Sequence, residues 1–127
     1  MQVTFFLGTL GATVFGIILS VSSGRAGNRP AHYRRVVSTV LLLAAAIVQA
    51  EILGRDWDFP SWRLNLHLFC AFSALGCLPG VVWSGLKLRN NASVRPIHRR
   101  WVGSFIGLTV CAVVTAGLMF LAATPSV

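Results

Sequence analysis

Charged side chains are scarce in this sequence. They make up 11% of its 127 residues, only three of them are acidic, and 55% of the residues are hydrophobic. In a soluble domain about a quarter of the residues are charged, because polar groups must cover much of its surface. The scarcity of charge therefore argues against a water-soluble globular domain and indicates an integral membrane protein.

Signatures of catalytic sites are also missing. The sequence contains no HExxH, GxSxG or P-loop motif and no pair of carboxylates inside an apolar run. Its three cysteines show neither CxxC spacing nor a Cys/His metal pattern. We therefore expect that the chain is not an enzyme.

Four apolar runs are long enough to cross a bilayer, which takes about 20 residues per helix. The runs are continuous rather than alternating, which favours α-helices over the strands of a membrane barrel. They are Val3–Val21, Val36–Leu53, Leu64–Leu86 and Trp101–Ala123. We predict a single all-α membrane domain over residues 1–127, folded as a bundle of four transmembrane helices.

The basic residues are concentrated around the first and third predicted loops, whereas all three acidic residues flank the second. Short loops rich in lysine and arginine stay in the cytoplasm, so both termini are expected on the outer side. We expect the basic groups to meet anionic lipid headgroups rather than nucleic acid, since they lie where helices enter the membrane. The arginines assigned to headgroups are Arg34, Arg35, Arg99 and Arg100.

A basic phrase occurs twice, as RPAHYRR from Arg29 and as RPIHRR from Arg95. Extended to 22 residues without gaps, the two copies share 10 identities. The preceding helices match as well, with FGIILS ending at Ser20 and PGVVWS ending at Ser84. We predict two tandem helical hairpins, over residues 1–54 and 62–124, in parallel orientation and related by a pseudo-twofold axis along the membrane normal.

Two of the three histidines lie in the repeated phrase. His32 and His98 begin equivalent helices and are therefore expected at the same depth in the membrane. Two imidazoles facing each other across a bundle are able to ligate a b-type haem. The alternative is that both lie among headgroups, solvated or bonded to phosphates.

The third histidine, His67, lies inside the third apolar run. An ionisable residue at membrane depth is a candidate for function. Gln49 and Glu51 lie near the end of the second run on the same side. His67 and Glu51, with Gln49, are therefore a candidate group for a transition metal, a proton or a quinone. As a single imidazole, His67 is also a candidate ligand of a haem or a chlorin pigment. The alternative is a neutral histidine that bonds Glu51 or a backbone carbonyl and aligns the second and third helices.

The histidine pattern resembles that of the CtaM-like family, small four-helix bacterial membrane proteins linked to haem–copper oxidase biogenesis. The similarity covers about residues 30–120 and rests on His32 in AHYRR, His67 before LGCLPG, and the phrase from His98 to Arg100. It implies a bacterial inner-membrane protein that supports oxidase maturation. The family also has a histidine at the outer end of the second helix. This chain has VQAEIL in that region and no histidine, and Glu51 is the nearest candidate to replace it.

Three functions are consistent with these patterns. The first is a non-catalytic accessory or assembly subunit of a respiratory or photosynthetic redox complex, with membrane lipids and a larger complex as partners. The second is a small b-type cytochrome that carries haem on His32 and His98, or on His67. The third is a small-molecule transporter that works as a dimer, because parallel repeats also build transporters.

Overall fold

A computed structural model, which describes residues 2–126, contains four long α-helices. Each is long and apolar enough to cross a membrane. The elements are α1 (Gln2–Arg25), α2 (Arg29–Gly54), β1 (Trp57–Asp58), α3 (Ser61–Leu88), a 3₁₀ turn (Ala92–Val94), α4 (Arg95–Phe120) and β2 (Thr124–Pro125). The prediction of an all-α chain with four potential membrane spans is confirmed, and such a chain is expected to be a multi-pass membrane protein.

Two of the helices begin well before their apolar runs. α2 begins at Arg29 and α4 begins at Arg95, so each basic phrase forms the first turns of a helix. Pro30 and Pro96 lie within these first turns, where the missing backbone N–H costs little. The histidines of the phrases are therefore helical residues rather than loop residues.

The described chain divides into two compact units, one of residues 2–57 with residue 126 and the other Asp58–Pro125. The first unit contains α1 and α2, and the second contains α3 and α4. Within each unit the two helices pack against each other along their length. They run antiparallel, because residues near the end of the first helix contact residues near the start of the second. Each unit is thus a helical hairpin.

A short turn joins α1 to α2. The N–H of Asn28 donates to the Ser23 carbonyl at 3.2 Å, and the N–H of Gly27 donates to the Gly24 carbonyl at 3.3 Å. Gly27 has a φ of 71°, a left-handed conformation that suits glycine. Together these features form a Schellman cap at the end of α1. Asn28 then caps α2, since its side-chain oxygen accepts a hydrogen bond from the N–H of Ala31.

Small side chains form most of the interface within each hairpin. The buried helical residues are Thr13, Ser20, Ser23, Thr39, Ala46 and Leu53 in the first hairpin, and Cys70, Ala74, Ser84 and Met119 in the second. The three in α2 recur every seven residues, the spacing of a helix face that stays against a partner helix. Small residues let helix backbones approach closely in lipid.

Most of the apolar surface faces outward. In each potential span, at most 17% of the most apolar 18-residue window is buried within the chain. Large side chains such as Phe5 and Phe69 are about two-thirds exposed, at 69% and 70%. Lipid, the other hairpin or a partner protein must therefore cover much of every helix.

Candidate functional site

His32 lies at the start of α2 and contacts α1. Its Nδ1 atom is 2.8 Å from the backbone oxygen of Ser20. The half-buried ring also packs against Gly24, where an added Cβ would lie only 3.1 Å from ring atoms. The Ser20 carbonyl accepts a second side-chain hydrogen bond, from Ser23 Oγ at 3.0 Å. His32 thus fastens the first turn of α2 to the C-terminal part of α1.

His98 lies at the start of α4 and contacts α3. Its Nδ1 atom is 3.0 Å from Oγ of Ser84, which is completely buried. The Ser84 hydroxyl is also 2.6 Å from the Gly80 carbonyl and donates its single proton there. His98 therefore donates its Nδ1–H to the Ser84 oxygen. This contact fastens the first turn of α4 to the C-terminal part of α3.

His67 lies about two turns into α3 and is half-buried against α4. Its Nδ1 atom is 3.0 Å from the backbone oxygen of Ala112. Thr115 Oγ1 lies 3.4 Å from the same nitrogen, but the hydroxyl points its own proton toward backbone carbonyls of α4. The imidazole therefore bonds a carbonyl, one of the two partners predicted for a structural histidine. The pair of helices was predicted wrongly, because this bond links α3 to α4 and not α3 to α2.

The partner atoms determine which ring nitrogen carries the proton. A backbone carbonyl only accepts, so Nδ1 of His32 and Nδ1 of His67 must donate. In a neutral imidazole Nε2 then carries the lone pair. Within residues 2–126, neither Nε2 has a hydrogen-bond partner. A histidine that ligates a metal or a haem through Nε2 is commonly held in this way.

The predicted metal pair of His67 and Glu51 draws on both units and stays a prediction. Glu51 is largely exposed, and its Oε1 atom lies 3.9 Å from Nη2 of Arg55, the residue that follows α2. The nearby amide of Gln49 has a buried oxygen that lacks a hydrogen-bond partner in the described part of the chain. Among residues 2–126, no group of three or more histidine, cysteine, aspartate or glutamate side chains is arranged to hold a metal ion.

The arginines assigned to headgroups lie in the first turns of α2 and α4 and are exposed. Arg35 donates from Nη1 to the Leu19 carbonyl at 3.2 Å. Arg34 has no hydrogen bond or ion pair within residues 2–126. Arg100 aligns with the exposed Arg34, since both follow their histidine by two residues. Arg35 and the exposed Arg99 have no such match, so one arginine of each pair lies on a different helix face.

A groove runs between α1 and α2 beside Arg34 and Arg35. It has a volume of about 570 Å³, and its walls include Phe15, Gly16 and Leu19. A Cβ added to Gly16 would lie 2.6 Å from Oγ1 of Thr39, so the backbones are in close contact at the floor of the groove. The hydrophobic walls and the basic rim give it an amphipathic character.

Sequence reasoning missed the groups that hold the histidines. Ser20 and Ser84 match each other in the aligned helices, and each lies opposite a histidine of the repeated phrase. The alignment of the two serines could have indicated both contacts. The contact with the Ala112 carbonyl could not be predicted in this way, because every residue carries a backbone carbonyl.

Arg63 is a further contact that the sequence did not reveal. Its Nη1 donates to the carbonyl of Leu118 in the last turn of α4 at 2.6 Å, and its guanidinium lies 5.0 Å from the ring centre of Trp62. A cation at this position satisfies a carbonyl that the helix itself leaves without a donor. The start of α3 is thereby fastened to the end of α4.

Comparison with known proteins adds no relative to this description. No protein-family model, curated protein or solved structure matches the chain.

Proposed function

We propose that the chain is a non-catalytic accessory or assembly subunit of a respiratory or photosynthetic redox complex in the bacterial inner membrane. In this proposal the two hairpins pack in parallel as a four-helix bundle with a pseudo-twofold axis along the membrane normal. Both termini lie on the outer side, and the two basic phrases lie at the cytoplasmic surface. The partners are membrane lipids and a larger membrane protein complex.

The observation that carries the proposal is the use of all three imidazoles to fasten helices. His32, His67 and His98 each place Nδ1 against a group of the other helix in their hairpin. In an apolar medium such bonds orient helices precisely, because an unpaired polar group is costly there. The three histidines, which the sequence indicates as candidate ligands, therefore each bond a neighbouring helix in this chain.

Two further features support a role inside a larger assembly. Each hairpin by itself leaves most of its apolar surface uncovered, which suits a chain that other membrane proteins and lipids surround. The resemblance to the CtaM-like family, carried by the same three histidines, favours a haem–copper oxidase as the supported complex.

The proposal is tested by deleting the chain from its native membrane. We expect the assembled amount of one redox complex to fall, measured by native gel electrophoresis and by electron-transport activity. Re-expression of the wild-type chain should restore it. Unchanged amounts and unchanged activity of every respiratory and photosynthetic complex would contradict the accessory role.

A second candidate is a small b-type cytochrome. The observation that favours it is the Nδ1–H donation by His32 and His67, which leaves Nε2 with a lone pair suited to haem iron. His32 with His98, or His67 alone, would hold the haem, which would supply one-electron transfer. Purified chain that binds haem and loses its Soret band on His32→Ala or His67→Ala would establish this function.

A further inference from the structure

We propose that the α1–α2 groove binds one acidic phospholipid from the leaflet on the side of the α1–α2 turn. The headgroup phosphate lies on Arg34 and Arg35, and one acyl chain follows the apolar walls. The proposal requires a membrane around the chain, but it does not depend on a redox partner. It assigns a specific lipid site to the first hairpin, beyond general attraction of lipids to basic loops.

The groove is long enough for an acyl chain. Beyond Arg35 it continues into a second cavity of about 470 Å³ lined by Phe5 and Gly8, and the two cavities share Ala12 and Leu42. From Leu19 to Phe5 the path follows 14 residues of α1, about 21 Å at the rise of an α-helix. One leaflet contributes about 15 Å of hydrocarbon, half of the usual core.

The charge at the mouth of the groove is not neutralised by the protein. Arg34 has no ion pair or hydrogen bond in the described chain, and Arg35 uses one of its N–H groups on the Leu19 carbonyl. The nearest acidic residue along α2 is Glu51, about 24 Å away at 1.5 Å per residue. Guanidinium groups form paired hydrogen bonds with phosphate oxygens, which is the chemistry of a phospholipid headgroup.

In the second hairpin, the side chain of Trp101 fills the site that corresponds to the groove. Trp101 aligns with Arg35, and its ring packs directly against Gly80, which aligns with Gly16. In the first hairpin the atoms nearest to a Cβ on Gly16 belong to the small Thr39 side chain, and the groove beside them is open to an acyl chain. We therefore expect tight lipid binding at the first hairpin and none at the matching place in the second.

The proposal is tested by native mass spectrometry of the purified full chain in detergent. Phosphatidylglycerol and phosphatidylcholine of the same chain length are added, and one-lipid adducts are counted. We expect one retained phosphatidylglycerol, bound about tenfold more tightly than phosphatidylcholine. The double variant Arg34→Gln with Arg35→Gln should weaken the adduct at least tenfold, because two headgroup contacts are lost.

Two controls separate the groove from general charge. Arg99→Gln with Arg100→Gln removes the same charge from the second hairpin and should change the adduct less than threefold. Ala12→Phe fills the groove without changing charge and should weaken the adduct, whereas Gly76→Phe at the aligned position should not. Circular dichroism and size-exclusion chromatography establish that each variant is folded.

Equal losses in the two arginine pairs would overturn the proposal, since binding would then follow net charge alone. Retention of the adduct in folded Ala12→Phe would also overturn it, because the acyl chain would then lie elsewhere. Equal affinity for the two lipids would exclude an acidic-lipid site.

Discussion

Nδ1 of His32 lies 2.8 Å from the backbone oxygen of Ser20, whereas Nδ1 of His98 lies 3.0 Å from the side-chain oxygen of Ser84. The two pairs occupy matching places in the aligned sequence, yet one uses the backbone and the other uses the hydroxyl. This difference makes the two serines respond differently to the same substitution.

Ser84→Ala is expected to destabilise the second hairpin more than Ser20→Ala destabilises the first. The first change removes the oxygen that accepts from His98, at a cost of about 0.6–1.7 kcal/mol for a hydrogen bond between membrane helices. Ser20→Ala keeps the carbonyl that binds His32 and loses only a 3.3 Å contact with Thr39. Free energies of unfolding in mixed micelles test this order, and equal losses would contradict it.

His67→Asn is expected to retain more stability than His67→Ala or His67→Gln. An asparagine amide places its N–H near the position of Nδ1 and so keeps a donor for the Ala112 carbonyl. The alanine variant should lose about 1 kcal/mol in the same unfolding assay. Rescue by glutamine instead of asparagine would contradict the assignment of Nδ1 as the donor to the Ala112 carbonyl.

Gly80→Ala is expected to destabilise α3–α4 packing by about 1–3 kcal/mol, because the new methyl group overlaps the ring of Trp101. The matched control is Gly76→Ala, since an added Cβ there meets nothing within 4 Å. A second change, Trp101→Ala, should relieve the overlap and reduce the cost of Gly80→Ala. A cost that is unchanged in the double variant would contradict the contact.

The orientation of the chain is testable by labelling introduced cysteines. The native Cys70, Cys77 and Cys111 are first replaced by alanine. A membrane-impermeant maleimide should then label Asp56→Cys in intact cells but label Ala26→Cys only after permeabilisation. Basic loops stay in the cytoplasm, so the opposite pattern would contradict termini on the outer side.

The four helices were predictable from the sequence because a long apolar run in lipid must form its backbone hydrogen bonds internally, as a helix does. The residues at which the helices begin could not be predicted from hydropathy alone. α2 begins seven residues before Val36, because the basic phrase continues the helix through the headgroup region and Pro30 suits a first turn. An apolar run marks the part of a helix that lies in hydrocarbon, not the whole helix.

The histidine contacts were harder to predict than the histidines themselves. The third apolar run predicts that His67 lies on a membrane helix, but the atom that binds it is the carbonyl oxygen of Ala112, which has no sequence signature. The groove beside Arg35 depends on the close approach of Gly16 to Thr39. The sequence shows only that residue 16 is small, and it does not show which residue packs against it.

The accessory role is tested most directly by isolating the tagged chain from its native membrane in mild detergent. Partner subunits are quantified by mass spectrometry, and a reduced-minus-oxidised spectrum is recorded before and after the partners are removed. We predict near-equal amounts of this chain and of subunits of one redox complex, with no haem band left on the isolated chain. The account would be contradicted if the chain is isolated without partner subunits and retains a haem band, and if His32→Ala abolishes that band.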